Sequence, residues 1–510
     1  MPAAGDPIAN PSVPPGPAPA RDRITRPTLA GSGRREAPVH RPPRVRFAPA
    51  PTGRLHLGGA RTALVNALFA RARGGTLVLR IEDTDPERNL PGADEAIEED
   101  LLWLGIVPDE GPTEGGAFGP YRQSERGPVY GGAFEALRAA GRLYPCWCGP
   151  EARAESGCPG GCGGLAEGER ERRLAREPAV PAWRFRLGEQ REVADLLRGR
   201  VSFRGAPAPD PVVLRPGGRP TFLFACAVDD AEMKITHVIR GEDHLPNAWK
   251  QEQIQRALGR EPPQWLHLPL VLGPDGAPLS KRHGSTAIGD LRDRGVPWEA
   301  VVMALAHLGW TPPRVEPGRD PWPELAARFR PERLSRSQPV YDEGRLLHLS
   351  GRWLRALPPE ELARRSAELA GFRDRFGGSV PPWWGELLAV CVLSRATLGE
   401  AAALAWEILE AEPRRADGGG EILDAWLRHW PESGLPGAED FKRLSARVAE
   451  EAGAAGRALF HPLRLALTGR EAGPALAVLA PLLDRAAQDP PRGRRVRSCR
   501  ERIAAALGAR

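Results

Sequence analysis

The residues with the clearest chemical meaning lie near the start of the chain, where a histidine precedes two glycines. His56 stands two residues before Gly58 and Gly59, directly ahead of apolar residues that recur at helical spacing. Glycines at a helix start let a ligand approach the backbone closely, and the unpaired N–H groups of the first turn favour a polyphosphate. The pattern matches neither the dinucleotide-binding fingerprint nor the P-loop, and many glycine-rich turns only pack a helix on a strand.

Four of the seven cysteines fall within 17 residues. They are Cys146, Cys148, Cys158 and Cys162, spaced Cys-x-Cys-x9-Cys-x3-Cys with glycines and prolines between them. Four thiolates on tight turns can close a tetrahedral zinc site, which is structural because no position stays open for water. Seven cysteines are too few for a disulfide scaffold at this length, so the remaining alternative is a set of free cysteines in a loop.

Two apolar runs in the middle of the chain each end in charged residues. Residues 221–230 predict a buried strand that ends in Asp229 and Asp230, and residues 235–244 predict a strand that runs into a polar turn. Ligands of open parallel sheets bind at the carboxyl ends of the strands. We therefore expect both polar clusters at a ligand-binding edge of a sheet.

A basic pair, Lys281 and Arg282, lies on a glycine-flanked loop. Such a loop supplies mobile cations, although a merely exposed basic loop has the same composition. Five further arginines form a basic stretch near the end of the chain: Arg492, Arg494, Arg495, Arg497 and Arg500. That stretch is either a contact for nucleic acid or a solvated face.

The elements that position His56 form a strand, a turn, a helix and a second strand. Residues 45–53 begin as a short apolar run and end in turn residues, which predicts a buried strand and a sharp loop. The apolar positions of residues 64–69 predict the helix, which residues 74–75 end, and residues 76–81 predict the second strand. This order is typical of the first unit of a parallel nucleotide-binding sheet.

Length and composition set the remaining bounds. A chain of 510 residues holds two to four domains, and a net charge of +6 permits a basic face without making the whole protein a polycation. No run of 18 apolar residues and no apolar leader is present, so we expect a cytoplasmic protein without a membrane span. Residues 1–43 are rich in Pro, Ala and Arg without periodicity and are expected to be disordered.

The run His56-Leu57-Gly58-Gly59 resembles the His-Ile-Gly-His signature of class I aminoacyl-tRNA synthetases. The flanking residues 46–53 and 80–85 narrow the resemblance to glutamyl-tRNA synthetases of the bacterial type. The resemblance continues through residues 121–126, 236–244 and 459–471, and residues 279–284 resemble the Lys-Met-Ser-Lys-Ser loop. It covers nearly all of residues 45–510.

The resemblance implies an α/β fold with a Rossmann-like parallel-sheet catalytic domain, an α/β insertion with a small zinc element, and an all-α anticodon-binding domain. The implied boundaries are 44–345 for the catalytic domain, about 110–230 for the acceptor-binding insertion, 146–162 for the zinc element and 346–510 for the helical domain.

The implied reaction is the ATP-dependent activation of L-glutamate to glutamyl-adenylate, followed by transfer to the 3′ end of tRNA(Glu). The implied cofactors are Mg²⁺, which accompanies ATP, and a structural Zn²⁺. We expect a monomer.

The resemblance also assigns roles to individual residues. ATP would be held by His56, Gly58, Gly59, Ser280, Lys281 and Arg282, with Lys281 neutralising the charge that builds on the pyrophosphate. Glutamate would be held by Arg46, Ala48, Glu82, Phe222 and Arg240. In that set, Arg46 and Arg240 take the side-chain carboxylate, and Glu82 takes the α-ammonium. A guanidinium fork suits a planar carboxylate and rejects neutral glutamine.

Three departures from the family pattern accompany these matches. Ala50 and Phe222 stand where the family usually has Ser and Tyr, and Pro278 stands where it usually has Lys. Each lost hydroxyl removes a hydrogen bond of roughly 0.5–1.5 kcal/mol from the predicted glutamate pocket. Three alternatives therefore stay open: a paralogue that glutamylates a tRNA base, a catalytically silent tRNA-binding protein, and a small-molecule nucleotidyltransferase.

Overall fold

The structure is a computed structural model. It describes residues 42–148, 158, 161–176, 180–204, 208–279, 287–369, 372–376, 380–491 and 494–508. Residues 1–41 of the predicted disordered tail therefore lie outside the described residues. Pro43, which the prediction also placed in that tail, is buried, and its carbonyl accepts a hydrogen bond of 2.8 Å from the Thr76 N–H.

The described strands form two sheets. They are β1 Arg44–Phe47, β2 Thr76–Leu79, β3 Leu143–Cys146, β4 Ala182–Phe185, β5 Glu192–Asp195, β6 Gly199–Ser202, β7 Val212–Leu214, β8 His237–Gly241 and β9 Gln264–Leu268. The larger sheet has the order β2-β1-β8-β9-β5-β6, in which all neighbours are parallel except the antiparallel edge pair β5–β6. The smaller sheet, β3-β4-β7, is antiparallel and lies in the predicted insertion.

Helices cover the larger sheet and make up the second half of the chain. The first nine described are α1 Leu57–Arg71, α2 Ala93–Trp103, α3 Gly127–Ala139, α4 Glu167–Arg176, α5 Phe222–Glu232, α6 Leu245–Ala257, α7 Ile288–Asp293, α8 Trp298–His307 and α9 Trp322–Arg328. They are followed by α10 Glu343–Ala356, α11 Pro359–Ala367, α12 Pro382–Cys391, α13 Leu398–Leu409, α14 Gly420–His429, α15 Ala438–Ala452, α16 Gly456–Thr468, α17 Leu476–Gln488 and α18 Cys499–Leu507.

The predicted fold class is confirmed. Strand β1, helix α1 and strand β2 form a parallel unit, with Val45 opposite Leu77 in the register. Helix α1 is buried along most of its length because it lies between the sheet and helices α8 and α9. In the described part of residues 343–508 the regular elements are all helical, as predicted.

One local prediction is wrong: residues 222–230 are not a strand but most of helix α5, and Thr221 is its N-cap residue. An uninterrupted apolar run cannot be divided between buried helix and buried strand by periodicity alone, and this helix is buried on nearly every face. The difference matters for the site. Adjacent residues of a strand point to opposite faces, whereas on helix α5 both Asp229 and Asp230 lie close to Arg80.

Two large hydrophobic clusters divide the described chain. The first extends from Val45 to Trp353 and surrounds the parallel sheet, and the second extends from Leu354 to Ala506 among the helices. Both clusters meet within helix α10. Among the described residues no single helix is long and apolar enough to cross a membrane, and Pro382–Ser394 with Leu398–Leu409 passes that test only as a pair bent by 114°.

Candidate active site

A cleft of about 340 Å³ opens at the carboxyl ends of β1, β2 and β8. The two neighbours of β1 in the sheet are β2 and β8, which come before and after the insertion, so the strand order reverses here as it does at ligand sites of open α/β sheets. The cleft is lined by eight of the eleven residues predicted to bind ATP or glutamate: Arg46, Ala48, His56, Gly58, Gly59, Glu82, Phe222 and Arg240. The other three, Ser280, Lys281 and Arg282, lie outside the described residues.

The first turn of α1 forms one wall of the cleft. His56 is its N-cap residue, with extended backbone angles (φ −86°, ψ 156°) and no side-chain cap, and its carbonyl accepts the Ala60 N–H at 2.8 Å. A Cβ placed on Gly58 would meet no atom within 4 Å, so a ligand can reach the backbone there. The first N–H groups of a helix have no intrahelical acceptor, which favours an anion at this position.

Beneath the cleft lies a buried network of arginines and carboxylates. Arg80, which follows β2 and is 0 % exposed, donates from Nη1 to Asp230 Oδ1 at 2.8 Å. Arg46 Nε donates to the same oxygen at 3.1 Å. Burial alone would raise the pKa of Asp230, but Arg46 and Arg80 outweigh it and hold that pKa below its usual value. Asp230 is therefore a carboxylate between two arginines.

The neighbouring Asp229 extends this network toward the insertion. Its oxygens accept from Gln123 Nε2 at 2.7 Å, Arg126 Nε at 2.6 Å and the Tyr130 hydroxyl at 2.9 Å. Asp229 is fully buried, as is Arg80, whose Nε lies 3.8 Å from its Oδ2. The two acids of α5 thus tie the strand ends to α3. The sequence predicted them at a ligand-binding edge of the sheet, and the structure places them in the network beneath the cleft.

Glu82 lies at the border between network and cleft. Its Oε1 accepts from Arg80 Nη2 at 3.1 Å, and its side chain is 9 % exposed. Burial raises the pKa of Glu82 above the usual value, against the opposing effect of Arg80 and Arg46. Arg80 and Arg46 therefore balance the negative charge of Glu82 only in part, and Glu82 can attract a cation that enters the cleft.

Arg240, in β8, is held differently from Arg46. Its Nε donates to His267 Nε2 at 3.2 Å and its Nη2 to the His244 carbonyl at 3.1 Å. Its Nη1 is buried and has no hydrogen-bond partner among the described residues. Burial lowers the pKa of Arg240 to about 10, so the guanidinium stays charged at neutral pH. Arg240 thus lines the cleft with one guanidinium nitrogen that no described residue engages, as does Arg61 with its Nη2.

The positions of the three family departures are described by the structure. Ala50 and Phe222 both line the cleft, and the Phe222 ring packs against His244 with centroids 5.2 Å apart. Pro278 forms an isolated antiparallel bridge with Leu272 at the base of the predicted loop. The two lost hydroxyls therefore belong to the cleft itself, whereas Pro278 belongs to its border.

The four clustered cysteines meet in one place. Their sulfurs lie within 4.8 Å of one another, with separations of 3.6 Å for Cys146–Cys158, 3.7 Å for Cys148–Cys158 and 3.9 Å for Cys148–Cys162. Four sulfurs around a zinc at about 2.3 Å lie about 3.8 Å apart, so the donor set fits tetrahedral zinc.

Sequence reasoning missed three buried residues next to the cleft: Arg80, Asp195 and His267. A signal was present, because Arg80 directly follows the apolar strand β2 and His267 interrupts the apolar strand β9. A charged or imidazole side chain in a buried strand needs a partner, and at a carboxyl end that partner is often part of a site.

Comparison with known proteins identifies the family. Residues 43–320 match the model of the family described as tRNA synthetases class I (E and Q), catalytic domain. That match covers more than half of the chain, and the cleft described above lies within it. The chain therefore belongs to the class I tRNA synthetases of the E and Q group.

Two relatives within this group are both glutamate–tRNA ligases. The chain is 42% identical over 450 residues to glutamate–tRNA ligase 1 of Rubrobacter xylanophilus, a match that covers 86% of this chain and 94% of that protein. It is 39% identical over 468 residues to the glutamate–tRNA ligase of Desulforudis audaxviator, covering 85% and 92% of the two proteins.

A solved structure extends the agreement to three dimensions. A glutamate tRNA ligase from Elizabethkingia meningosepticum, in complex with its amino acid, superimposes with a TM-score of 0.76 at 27% sequence identity. The match covers 92% of this chain and 99% of that one, so it includes the helical half.

Proposed function

We propose that this protein is a glutamate–tRNA ligase that activates L-glutamate with ATP and transfers it to the 3′ end of tRNA(Glu). The observation that carries the proposal is the unpartnered guanidinium nitrogen of Arg240, in a cleft that also holds Glu82 and the first turn of α1. A cation and a carboxylate facing one space suit an acidic amino acid, and a helix N-terminus beside them suits phosphates.

In the first step, an α-carboxylate oxygen of glutamate attacks the α-phosphorus of ATP, and the bond to pyrophosphate breaks. His56 and the backbone of Gly58 and Gly59 hold the phosphates at the open first turn of α1. Mg²⁺ bound with ATP supplies charge neutralisation. The protein chiefly positions the reactants and stabilises charge, which is the usual requirement of phosphoryl transfer.

Ser280, Lys281 and Arg282 complete the ATP site in this proposal. Its support comes from the described residues on either side of them. Leu279 N–H donates to the Val271 carbonyl at 2.9 Å, and Ala287 forms a bridge with His56 itself. Lys281 is six residues before Ala287 in the sequence, and Ala287 is the bridge partner of His56, the N-cap residue of α1.

The glutamate pocket uses Arg240 and Arg46 for the side-chain carboxylate and Glu82 for the α-ammonium, with Ala48 and Phe222 as walls. Without the hydroxyls of a Ser at 50 and a Tyr at 222, affinity for glutamate is lower than with them, but the charged contacts remain.

Zinc bound by the four cysteines is structural in this proposal. All four ligands come from the chain, so zinc would shape the turns of the insertion and not take part in the chemistry. In the same proposal, the insertion contacts the acceptor end of tRNA and residues 346–510 contact the anticodon. The protein acts as a monomer in the cytoplasm.

A charging assay tests the proposal. Purified protein, ATP, radiolabelled glutamate and total tRNA should give alkali-labile label on acid-precipitable tRNA. Pretreating the tRNA with periodate, which destroys the 3′-terminal ribose, should abolish the label. Label that survives periodate would indicate the base-modifying paralogue, and no label with glutamate or glutamine would leave the silent tRNA-binding protein.

A further inference from the structure

Three neighbouring strands place Asp195, His267 and Arg240 in a line beside the cleft. Arg240 of β8 and His267 of β9 are register partners, and Asp195 of β5 is the register partner of Trp265, two residues before His267. Side chains two residues apart on a strand share a face, so the sheet itself brings the three groups together. The three residues are buried, with exposures of 5 % for Asp195, 0 % for His267 and 5 % for Arg240.

The hydrogen bonds fix which imidazole nitrogen carries the proton. Asp195 Oδ2 accepts from the His267 backbone N–H at 3.0 Å and lies 2.8 Å from Nδ1, while its Oδ1 accepts the N–H groups of Leu197 and Arg198. A carboxylate opposite Nδ1 places the proton on Nδ1. Nε2 then presents a lone pair, which accepts the Arg240 Nε–H at 3.2 Å.

No carboxylate among the described residues pairs directly with Arg240. Its hydrogen-bond acceptors are an imidazole and a backbone carbonyl, and its guanidinium lies over the Trp265 ring at 4.8 Å. Asp230 and Glu82 act on it only through space. Arg46, by contrast, is bonded to Asp230. A neutral acceptor orients a guanidinium without forming the ion pair that would compete with an incoming carboxylate.

We propose that His267, held by Asp195, is a positioning residue for Arg240. The pair aims the guanidinium into the cleft and leaves its charge available, which favours glutamate over neutral glutamine. This assignment rests on the proposed function, and neither Asp195 nor His267 touches the substrate.

The test compares His267→Gln, which keeps a neutral acceptor, with His267→Glu, which places a carboxylate against Arg240. The assay is ATP–pyrophosphate exchange with tRNA present, from which the KM for glutamate, the KM for ATP and inhibition by glutamine are obtained. We expect His267→Gln to raise the KM for glutamate by up to about 10-fold. His267→Glu should raise it by about 100-fold or more and narrow the preference for glutamate over glutamine, because the cation is now paired.

Two comparisons separate positioning from general damage. In both variants the KM for ATP should stay within about twofold of wild type, because Arg240 contacts glutamate and not ATP in this proposal. A general loss of structure would instead raise the KM for both substrates. The matched control is His237→Glu, at the amino end of β8 away from the cleft, where the His237 ring lies beside Thr236 Oγ1. It should leave the glutamate KM unchanged.

Asp195→Asn serves if His267→Glu does not fold. An amide can donate to Nδ1 and move the imidazole proton to Nε2, where it opposes the Arg240 N–H, so the glutamate KM should again rise selectively. Wild-type exchange that depends on glutamate, together with an unchanged glutamate KM in the folded variants, would overturn the positioning pair alone. A wild-type protein without such exchange would overturn the proposed function and this assignment with it.

Discussion

Two clusters of charged residues, one under the cleft and one at the end of the helical half, differ in how deeply their ion pairs are buried. Under the cleft, one carboxylate oxygen of Asp230 pairs with both Arg46 and Arg80. None of these three side chains is more than 4 % exposed. In the helical half, Arg497 pairs with Glu412 at 2.8 Å, with side-chain exposures of 41 % and 81 %.

The described arginines of the basic stretch near the C-terminus pair with residues of the same helical half. Arg494 pairs with Glu410 and Arg495 with Glu501, while Arg500 donates to the carbonyls of Leu427 and Trp430 at 2.9 and 2.8 Å. Arg492 lies outside the described residues. Burial of the ion pairs, and not the number of arginines, therefore distinguishes the network under the cleft from a solvated surface.

The largest expected difference between the two clusters is in stability. Asp230→Asn removes the buried carboxylate that Arg46 and Arg80 share, although Arg80 keeps Glu82, and should lower the free energy of unfolding by roughly 3–5 kcal/mol. Glu412→Gln, the matched change in the exposed pair, should cost at most about 1 kcal/mol. Urea denaturation followed by tryptophan fluorescence measures both, and similar losses would remove the distinction.

The second prediction concerns how the stability of the buried region depends on pH. Burial lowers the pKa of His267 to about 4 from the usual 6.5, so the unfolded chain binds a proton between these values that the folded chain does not. Stability therefore falls as pH decreases from 6.5 toward 4, by about 2 kcal/mol at pH 5 for this group. In His267→Gln the urea concentration at the unfolding midpoint should change less between pH 6.5 and pH 5 than it does in the wild type. An unaltered pH profile would show that His267 titrates normally.

A smaller effect is expected from restoring a lost hydroxyl in the cleft. Phe222→Tyr should lower the KM for glutamate by about 2- to 12-fold, because a neutral hydrogen bond contributes roughly 0.5–1.5 kcal/mol. Phe134→Tyr, in a ring pair with Trp183 within the insertion, provides a control for the substitution itself. If Phe222→Tyr leaves the KM for glutamate unchanged, position 222 does not contact the amino acid.

The smallest effect is expected at the paired C-terminal arginines. Arg497→Ala should change the KM for tRNA by less than about twofold and leave its salt dependence unaltered, because the side chain already has a carboxylate partner. A loss of several-fold in tRNA affinity with a shallower salt dependence would instead place this stretch in the tRNA interface.

Sequence reasoning reached the parallel unit, the open helix start at Gly58 and the four cysteines, because each depends on local spacing. It misread helix α5, since a fully buried helix carries no periodicity. It also could not place Arg80 or His267, whose partners come from strands and helices far apart in the chain. Long-range pairing is what decides whether an arginine such as Arg240 keeps an unpartnered donor.

The most direct test of the central claim compares Arg240→Gln with Arg497→Gln in tRNA charging. We expect Arg240→Gln to lower kcat/KM for glutamate by about 100-fold or more while the KM for ATP stays near wild type. Arg497→Gln should remain within about twofold of wild type. An Arg240→Gln protein that charges tRNA with glutamate as efficiently as the Arg497→Gln protein would contradict the account.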